Sequence, residues 1–500
     1  MGNNPKPQGA VQTGLESKKI SVWILFLAVL LTGVLTYFGT TYAMKGAQNK
    51  VTQSETNSGV NTTTKKSSDT LTKEDLAKLE LVYDTLVSGY VDKNLNKDDI
   101  INGALKGMAE ATGDPYTNYL VNEETAAIDE TMTGSFGGIG AELRSENNHV
   151  IISNTREGTP AQKIGLQEND VILKVNGEDM EGKSISYVVS KVRGEVGTDV
   201  TLTIQRGTQE LEVKITRAKI AIETVKGIVD STDATIGHVK INSFAKNTAK
   251  EVEQAVTDLR EKGVKKFIFD VRYNPGGLLD QAIMIANMFV ENGKTILNVE
   301  DRDGNIKSYN ASEKYGTFKI TEPYVLLVNE GSASASEILA AALKESADAK
   351  LIGKKTYGKG TVQSVIEVGE NAELKYTMAK WLTPNKTWIH KTGIEPTEEV
   401  SMPEYYNITI IDTREVVKEG AVSDNVKTIE TILKGLGYNV TADGYFDSKT
   451  TEAVKEFQKS KGLSETGEVD EKTGTALMSA IRDALKANDT QYKAAVKALQ

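Results

Sequence analysis

A serine and a lysine are the residues of this chain best placed to do chemistry. Ser334 lies in Gly331-Ser-Ala-Ser-Ala-Ser-Glu-Ile338, where small residues lead into an apolar helical stretch. Lys359 lies in Gly358-Lys-Gly-Thr-Val-Gln363, flanked by glycines and followed four residues on by a glutamine. A serine hydroxyl needs a base to become a nucleophile, and a neutral lysine amine can be that base. The usual imidazole base is scarce, since His149, His238 and His390 are the only histidines. To serve, Lys359 must lose its proton near neutral pH, and burial among apolar groups drives that loss by disfavouring the charged form. Gln363 can orient the amine without adding charge, whereas a carboxylate there would hold the proton on.

Each motif also has a plainer reading. Ser334-x-x-Glu337 is a capping box, and Ser332, Ser334 and Ser336 crowd one turn, so spacing alone does not choose among them. The stretch from Gly353 to Lys359 nearly matches a phosphate-binding loop, but Gly360 stands where Ser or Thr must hold magnesium. The alternation from Thr361 onward reads as a strand, where such a loop opens a helix, so nucleotide binding is set aside. Asn274-Pro-Gly276-Gly277 is a βα turn or a nest of amides for an oxyanion. Gly137-Gly138-Ile139-Gly140 is a glycine-rich hairpin or a cradle for a peptide carboxylate, with the adjacent strand edge pairing the peptide. Cysteine is absent and the histidines are isolated, so no zinc site, disulfide or other cofactor is expected.

These residues need a scaffold larger than one core. The 500 residues, 39% hydrophobic and 26% charged, suit two to four globular domains. A net charge of -10 without a basic cluster argues against a nucleic-acid partner. Residues 20–43 carry no charge and follow Lys6, Lys18 and Lys19. They are long enough for a bilayer core of about 30 Å, which predicts a cytoplasmic tail at 1–19 and a single membrane span. A cleaved signal peptide is the alternative, with Thr41-Tyr-Ala43 as its site, although its apolar region would be shorter, roughly 7–15 residues. Residues 44–70 read as a polar linker and 71–130 as a helical region. From 131 to 219, short β-rich runs at 150–152, 171–175 and 200–204 predict one small β-rich domain. From 220 to 405, strands expected over 237–241, 266–270, 324–328 and 350–352 alternate with helices over 248–262, 279–291 and 335–345. That alternation predicts a layered α/β core with parallel strands. Residues 421–482 contain a repeat, Gly444-x-Phe-Asp447-x-x-Thr450 and Gly467-x-Val-Asp470-x-x-Thr473. Each aspartate is placed to cap a helix. Residues 483–500 read as a helical tail. The expected class is thus a multidomain α/β protein with an inserted β-rich domain, an N-terminal membrane helix and a small all-α C-terminal domain.

Over roughly residues 75–405 these motifs together resemble the carboxy-terminal processing peptidases, tail-specific serine proteases with a PDZ domain. Gly113-Asp-Pro-Tyr116, Phe136–Gly140, Asp270-x-Arg272-x-Asn274-Pro-Gly-Gly277, Gly331–Glu337 and Gly358–Gln363 carry the resemblance. It implies that Ser334 is the nucleophile, Lys359 the base and Gln363 the third member. It implies oxyanion donors on the backbone of Gly276, Gly277 and Ala335, and a PDZ carboxylate loop at Gly137, Gly138, Ile139 and Gly140. Arg193 resembles a PDZ arginine that couples peptide binding to activation. One departure is Pro384-Asn-Lys386, where members often have Pro-x-Gly. The C-terminal repeat resembles a small peptidoglycan-binding domain. The expected protein is a membrane-anchored, extracytoplasmic serine endopeptidase of the bacterial cell surface. Its expected partners are substrates with free C-termini and peptidoglycan, and the helices at 71–108 offer a route to a homodimer. The rival is a wall-tethered PDZ scaffold with an inactive core. An acyl-CoA-type enzyme on a related core is disfavoured by the external location.

Overall fold

The computed structural model describes residues 70–146, 148–369 and 371–500. The predicted cytoplasmic tail, membrane span and nearly all of the linker lie outside the described residues, among which no helix is long and apolar enough to cross a membrane. Two helices come first, α1 (Lys73–Gly89) and α2 (Lys97–Glu110), then strand β1 (Asn118–Val121) and α3 (Glu123–Thr133). Thr72 caps α1 by accepting from the Asp75 amide at 3.1 Å, and its own amide donates back to the Asp75 carboxylate at 3.0 Å. Leu76, Leu79, Val82 and Leu86 of α1 remain exposed. The region read as helical is therefore not wholly so: β1 joins a sheet with a strand more than 250 positions away, a pairing that local periodicity does not encode.

The β-rich unit follows, with β2 (Ser135–Gly138), β3 (Ala141–Glu146), β4 (His149–Thr155), α4 (Pro160–Lys163), β5 (Val171–Val175), β6 (Glu178–Asp179), α5 (Ile185–Val192), β7 (Asp199–Arg206), β8 (Gln209–Thr216) and β9 (Ala218–Ala221). Val200, Leu202 and Ile204 alternate along β7 into a core with Val150, Ile152 and Ile172. The main sheet runs β3-β4-β5-β7-β8, so β3 is an edge strand. Entry and exit strands β2 and β9 pair with each other, making the unit an insertion on a two-strand stalk.

The α/β core comprises β10 (Val225–Val229), β11 (Ile236–Ile241), α6 (Thr248–Glu261), β12 (Lys266–Asp270), α7 (Leu279–Asn287), β13 (Thr295–Asp301), β14 (Ile306–Asn310), β15 (Tyr324–Val328), α8 (Ala335–Ser346), β16 (Lys350–Gly353), β17 (Thr361–Gly369), β18 (Ala372–Leu382) and β19 (Glu398–Glu399). One sheet is ordered β10-β11-β12-β15-β16-β19 and is parallel except for β10. Phe267, Phe269, Leu326 and Val328 point to one face and pack with Val252 and Val256 of α6 and Ile338 and Leu339 of α8. Alternate residues Ile268, Val325 and Leu327 point to the other. A second, antiparallel sheet is ordered β1-β18-β13-β14, with β17 also on β18. The first sheet delivers Ser334 from the end of β15, and the second receives the lysine loop through β17.

Three helices, α9 (Asp424–Gly435), α10 (Ser448–Ser460) and α11 (Glu471–Ala487), form the C-terminal unit. Asp447 and Asp470 accept from the amides of Thr450 and Thr473, each at 2.8 Å, as the repeat predicted. The expected tail at 483–500 needs correction. Helix α11 continues through 483–487, and the last helix, α12 (Thr490–Leu499), is not a free end. It returns to the α/β core, where Ala495 and Leu499 bury Ile268, Val325, Leu327 and Ile352 on the second face of the parallel sheet. Without that cover those residues would face water. Arg272 holds the return through Asp489 at 2.9 Å and Gln491 at 3.1 Å, and the Tyr492 hydroxyl donates to Asp230 at 2.8 Å.

Candidate active site

Ser334 is the residue before α8, held at φ 55° and ψ -113°. That positive φ disfavours a side chain and is tolerated where surroundings fix the backbone. The surroundings are its two neighbours. Ser332 Oγ donates to the Val271 carbonyl at 2.8 Å, and Ser336 Oγ donates to the Asn274 carbonyl at 2.9 Å. Both hydroxyls tie the turn to the 271–277 loop. Ser334 Oγ is buried and has no hydrogen-bond partner. Of the three serines that spacing left equal, only this hydroxyl is uncommitted. A Cβ on Gly276 would lie 2.7 Å from the Ala333 carbonyl oxygen and 2.9 Å from Ser334 Cβ. The loop can approach the serine this closely only as glycine.

The predicted amide nest is altered in one member. The Gly276 amide donates to Asn274 Oδ1 at 2.9 Å inside its own turn. The loop closes on its own side chain, as Asx turns do, so Gly276 contributes close approach and not a free donor. Gly277 and Ala335 are the remaining expected donors, with Ala335 at the N-terminus of α8, where helix amides and dipole favour negative charge.

Lys359 is 1% exposed, and its amine has no hydrogen-bond partner. Nζ lies 4.5 Å from the centre of the Tyr116 ring. Burial, reinforced by the charge of Lys375, pulls its pKa down to about 7 against the opposing pull of Asp114 and Glu337. Lys375, on β18, is also buried and brought down to about 8, mainly by desolvation. The backbone is pinned from outside: Trp381 Nε1 donates to the Lys359 carbonyl and Trp388 Nε1 to that of Gly360, each at 2.8 Å. A cavity of about 490 Å³ adjoins this loop, lined by Asp114, Tyr116, Tyr357, Gly358, His390 and Lys391.

Glu337 does more than the capping role its spacing suggested. Oε2 accepts from the amides of Ser334 at 2.9 Å and Lys359 at 2.8 Å, and Oε1 accepts from Gly358 N and Thr356 Oγ1, each at 2.6 Å. One buried carboxylate thus ties the serine's own amide to the lysine's. Burial pushes its pKa up against these four donors. No local pattern signals the second pair of contacts.

Gln363 is fully buried on β17, directly opposite Thr377 of β18. Its Nε2 donates to Thr361 Oγ1 at 2.9 Å and Thr377 Oγ1 at 3.2 Å, while Oε1 is buried without a partner.

Of the expected carboxylate loop, Gly137 and Gly138 end strand β2 opposite Lys219 and Ala218 of β9, and Ile139 is buried in the core of the β-rich unit. The segment leads into edge strand β3, whose free side can accept a further strand. Arg193 is not brought to the serine and lysine. Its guanidinium stacks on the Phe136 ring at 4.0 Å and pairs with Glu130 of α3 at 2.8 Å.

Comparison with known proteins follows the same divisions. Residues 235–400 match the model for peptidase family S41, 151–206 a PDZ domain, 422–477 a putative peptidoglycan binding domain, and 30–125 the N-terminal domain of the activating protease CtpB. The carboxy-terminal processing protease CtpA of Bacillus subtilis is 40% identical over 424 residues, 85% of this chain and 90% of its own length. A probable CtpA-like serine protease of Staphylococcus aureus is 40% identical over 80% of this chain and 79% of its own. The solved photosystem II D1 C-terminal processing protease is 28% identical, covers 66% of this chain and 94% of its own, and has a TM-score of 0.38.

Proposed function

Since the chain belongs to the carboxy-terminal processing serine peptidases of family S41, we propose that it cleaves peptide bonds through Ser334 and Lys359, after its PDZ domain has captured a substrate C-terminus. The Gly137–Gly140 loop holds the terminal carboxylate, and the peptide extends along the edge of β3. Lys359 Nζ, neutral, takes the Ser334 Oγ proton as the oxygen attacks the scissile carbonyl carbon. The oxyanion is met by the Gly277 and Ala335 amides. As the C–N bond breaks, the lysine returns its proton to the leaving amine. Water, deprotonated by the same lysine, then clears the acyl-enzyme. Gln363 orients the amine. The observation that carries this reading is the pair of buried, unpartnered groups, a hydroxyl and an amine whose pKa is brought to about 7.

Ser334→Ala and Lys359→Ala should each abolish cleavage of a denatured protein with a free C-terminus while peptide binding persists. Retained turnover in either purified variant refutes the dyad, whereas no turnover by the unaltered chain favours a scaffold with an inert core. The uncharged stretch 20–43 supports a single-pass anchor with the catalytic portion outside the cytoplasm. Protease digestion of intact cells should reach Trp388 but not residues 1–19, and protection of both disproves it. The C-terminal unit supports peptidoglycan binding, so the Ser334→Ala chain should pellet with purified sacculi; a soluble chain counts against it. The exposed apolar row of α1 supports a homodimer. Val82→Asp should then yield monomers in sedimentation velocity, and an unchanged sedimentation coefficient excludes that interface.

A further inference from the structure

Gln363 presents a question that its burial makes sharp. An amide has a donor end and an acceptor end, and only the acceptor end helps a lysine amine. The two ends are nearly the same shape, so packing does not choose between them. The choice must come from the groups the amide touches. Both are hydroxyls, Thr361 Oγ1 and Thr377 Oγ1, and a hydroxyl can donate or accept.

Thr377 is not free to choose. Its hydroxyl donates to Asp114 Oδ2 at 2.5 Å, and an ionised carboxylate only accepts. The Thr377 proton is therefore committed away from Gln363, and its lone pairs face the amide. Only the NH₂ end satisfies them. Asp114 is itself fixed as an acceptor: Thr117 Oγ1 donates to the same oxygen at 2.7 Å and the Tyr116 amide to Oδ1 at 3.2 Å. Burial pushes the Asp114 carboxyl up, but hydrogen bonds from Thr377, Thr117 and Tyr116, with the charge of Lys359, bring it net below its ordinary value. It is ionised wherever the enzyme works.

We propose that Asp114, carried by the segment between α2 and β1, is a positioning residue that acts through Thr377 to hold the Gln363 amide with its oxygen available to the lysine. This rests on the role of Gln363 given above. It makes the site depend on a residue from outside the α/β core, 263 positions from Thr377 in sequence.

The test measures kcat and KM on an internally quenched peptide with a free C-terminal carboxylate, for the whole chain and its variants. Thr377→Val keeps the shape and removes the hydroxyl, leaving no lone pair to select the NH₂ end. Asp114→Asn lets residue 114 donate, which frees the Thr377 proton to turn toward Gln363. Each should lower kcat roughly 10- to 100-fold, the range for losing a hydrogen bond to a charged group, with KM unchanged. Thr377→Ser should restore kcat, which a loss due only to misfolding would not predict. In a Gln363→Ala background, Thr377→Val should cost nothing further.

The pH profile separates positioning from charge. The charged groups acting on Lys359 are Lys375 of β18, Glu337 of α8 and Asp114. Thr377→Val changes no charge and should leave the acid limb in place, whereas Asp114→Asn should also move that limb to lower pH. A wild-type plateau in Thr377→Val, additive losses in the Gln363→Ala background, or an Asp114→Asn effect confined to the limb would each overturn the proposal. A wild-type rate in Gln363→Ala overturns it differently, by removing Gln363 from the mechanism while the serine and lysine stand.

Discussion

Lys359 should be a liability for folding, and replacing it should make the protein more stable and inactive. Its ammonium would ordinarily lose its proton near 10.5, but in the folded chain that happens near 7. The unfolded chain therefore binds more protons between these values, and stability rises with pH across that window. The difference of roughly 3.5 units corresponds to about 5 kcal/mol of destabilisation at pH 6, falling to about 2 at pH 9 and near zero above 10.5. Methionine has a similar shape and no charge to desolvate. In a Ser334→Ala background, which prevents self-digestion, Lys359→Met should raise the urea midpoint most at pH 6 and progressively less toward pH 9 to 10. Trp381 and Trp388 hydrogen-bond the carbonyls of Lys359 and Gly360, so their fluorescence reports on this region directly. A gain independent of pH would assign the effect to packing. A loss at pH 6 would refute the argument that the lysine is strained by burial. The active enzyme supplies the kinetic counterpart, an acid limb in kcat/KM with a midpoint near 7.

Other expectations can be checked more briefly. Glu337→Gln keeps the volume, but whichever way the amide turns, its NH₂ meets at least one backbone N–H, either Ser334 N and Lys359 N or, beside a Thr356 hydroxyl that can turn to accept, Gly358 N. Even the better orientation leaves one buried N–H unsatisfied, at a cost of about 1–3 kcal/mol in chemical unfolding, and a wild-type midpoint would show that the four contacts are dispensable. Lys386 holds φ 64° in the turn after β18, so Lys386→Gly should stabilise by about 0.5–1 kcal/mol without altering kcat; destabilisation would show the lysine is held by contacts worth more than the strain. Ending the chain at residue 489 uncovers Ile268, Val325, Leu327 and Ile352. At about 1.5–3 kcal/mol for each such side chain fully exposed, the product should be insoluble or rapidly digested by added protease; wild-type resistance would refute the structural role of α12.

Much of this arrangement was readable because it is local. The short apolar runs at 266–270 and 324–328 marked β12 and β15 to the residue, and the missing Ser/Thr at Gly360 separated a strand-leading lysine loop from a nucleotide site. The caps at Asp447 and Asp470 followed from a three-residue spacing. What the sequence hid depends on distant partners. Glu337 looked like a cap because one of its oxygens does serve the turn; that the same group reaches the lysine loop is settled by how α8 packs against residues 356–359. Asp114 gave no sign of touching Thr377, since β1 and β18 meet only in the sheet. The amide of Gly276 was expected to be free because the motif displays two glycines, yet the asparagine two residues earlier claims it. Helix α12 read as an amphipathic end, and its pattern shows an apolar face without saying which surface it meets.

The return of α12 to the parallel sheet has a topological consequence. The helical unit leaves the core after β19 and comes back into it at Thr490, so it is joined at two points and is an insert more than an appendage. A stop codon placed after β19 removes this module and a piece of the core's own wall together. Exchanging the module for another therefore calls for two junctions, one before α9 and one between α11 and α12. A graft that respects only the first would be judged inactive for a reason unrelated to what the module binds.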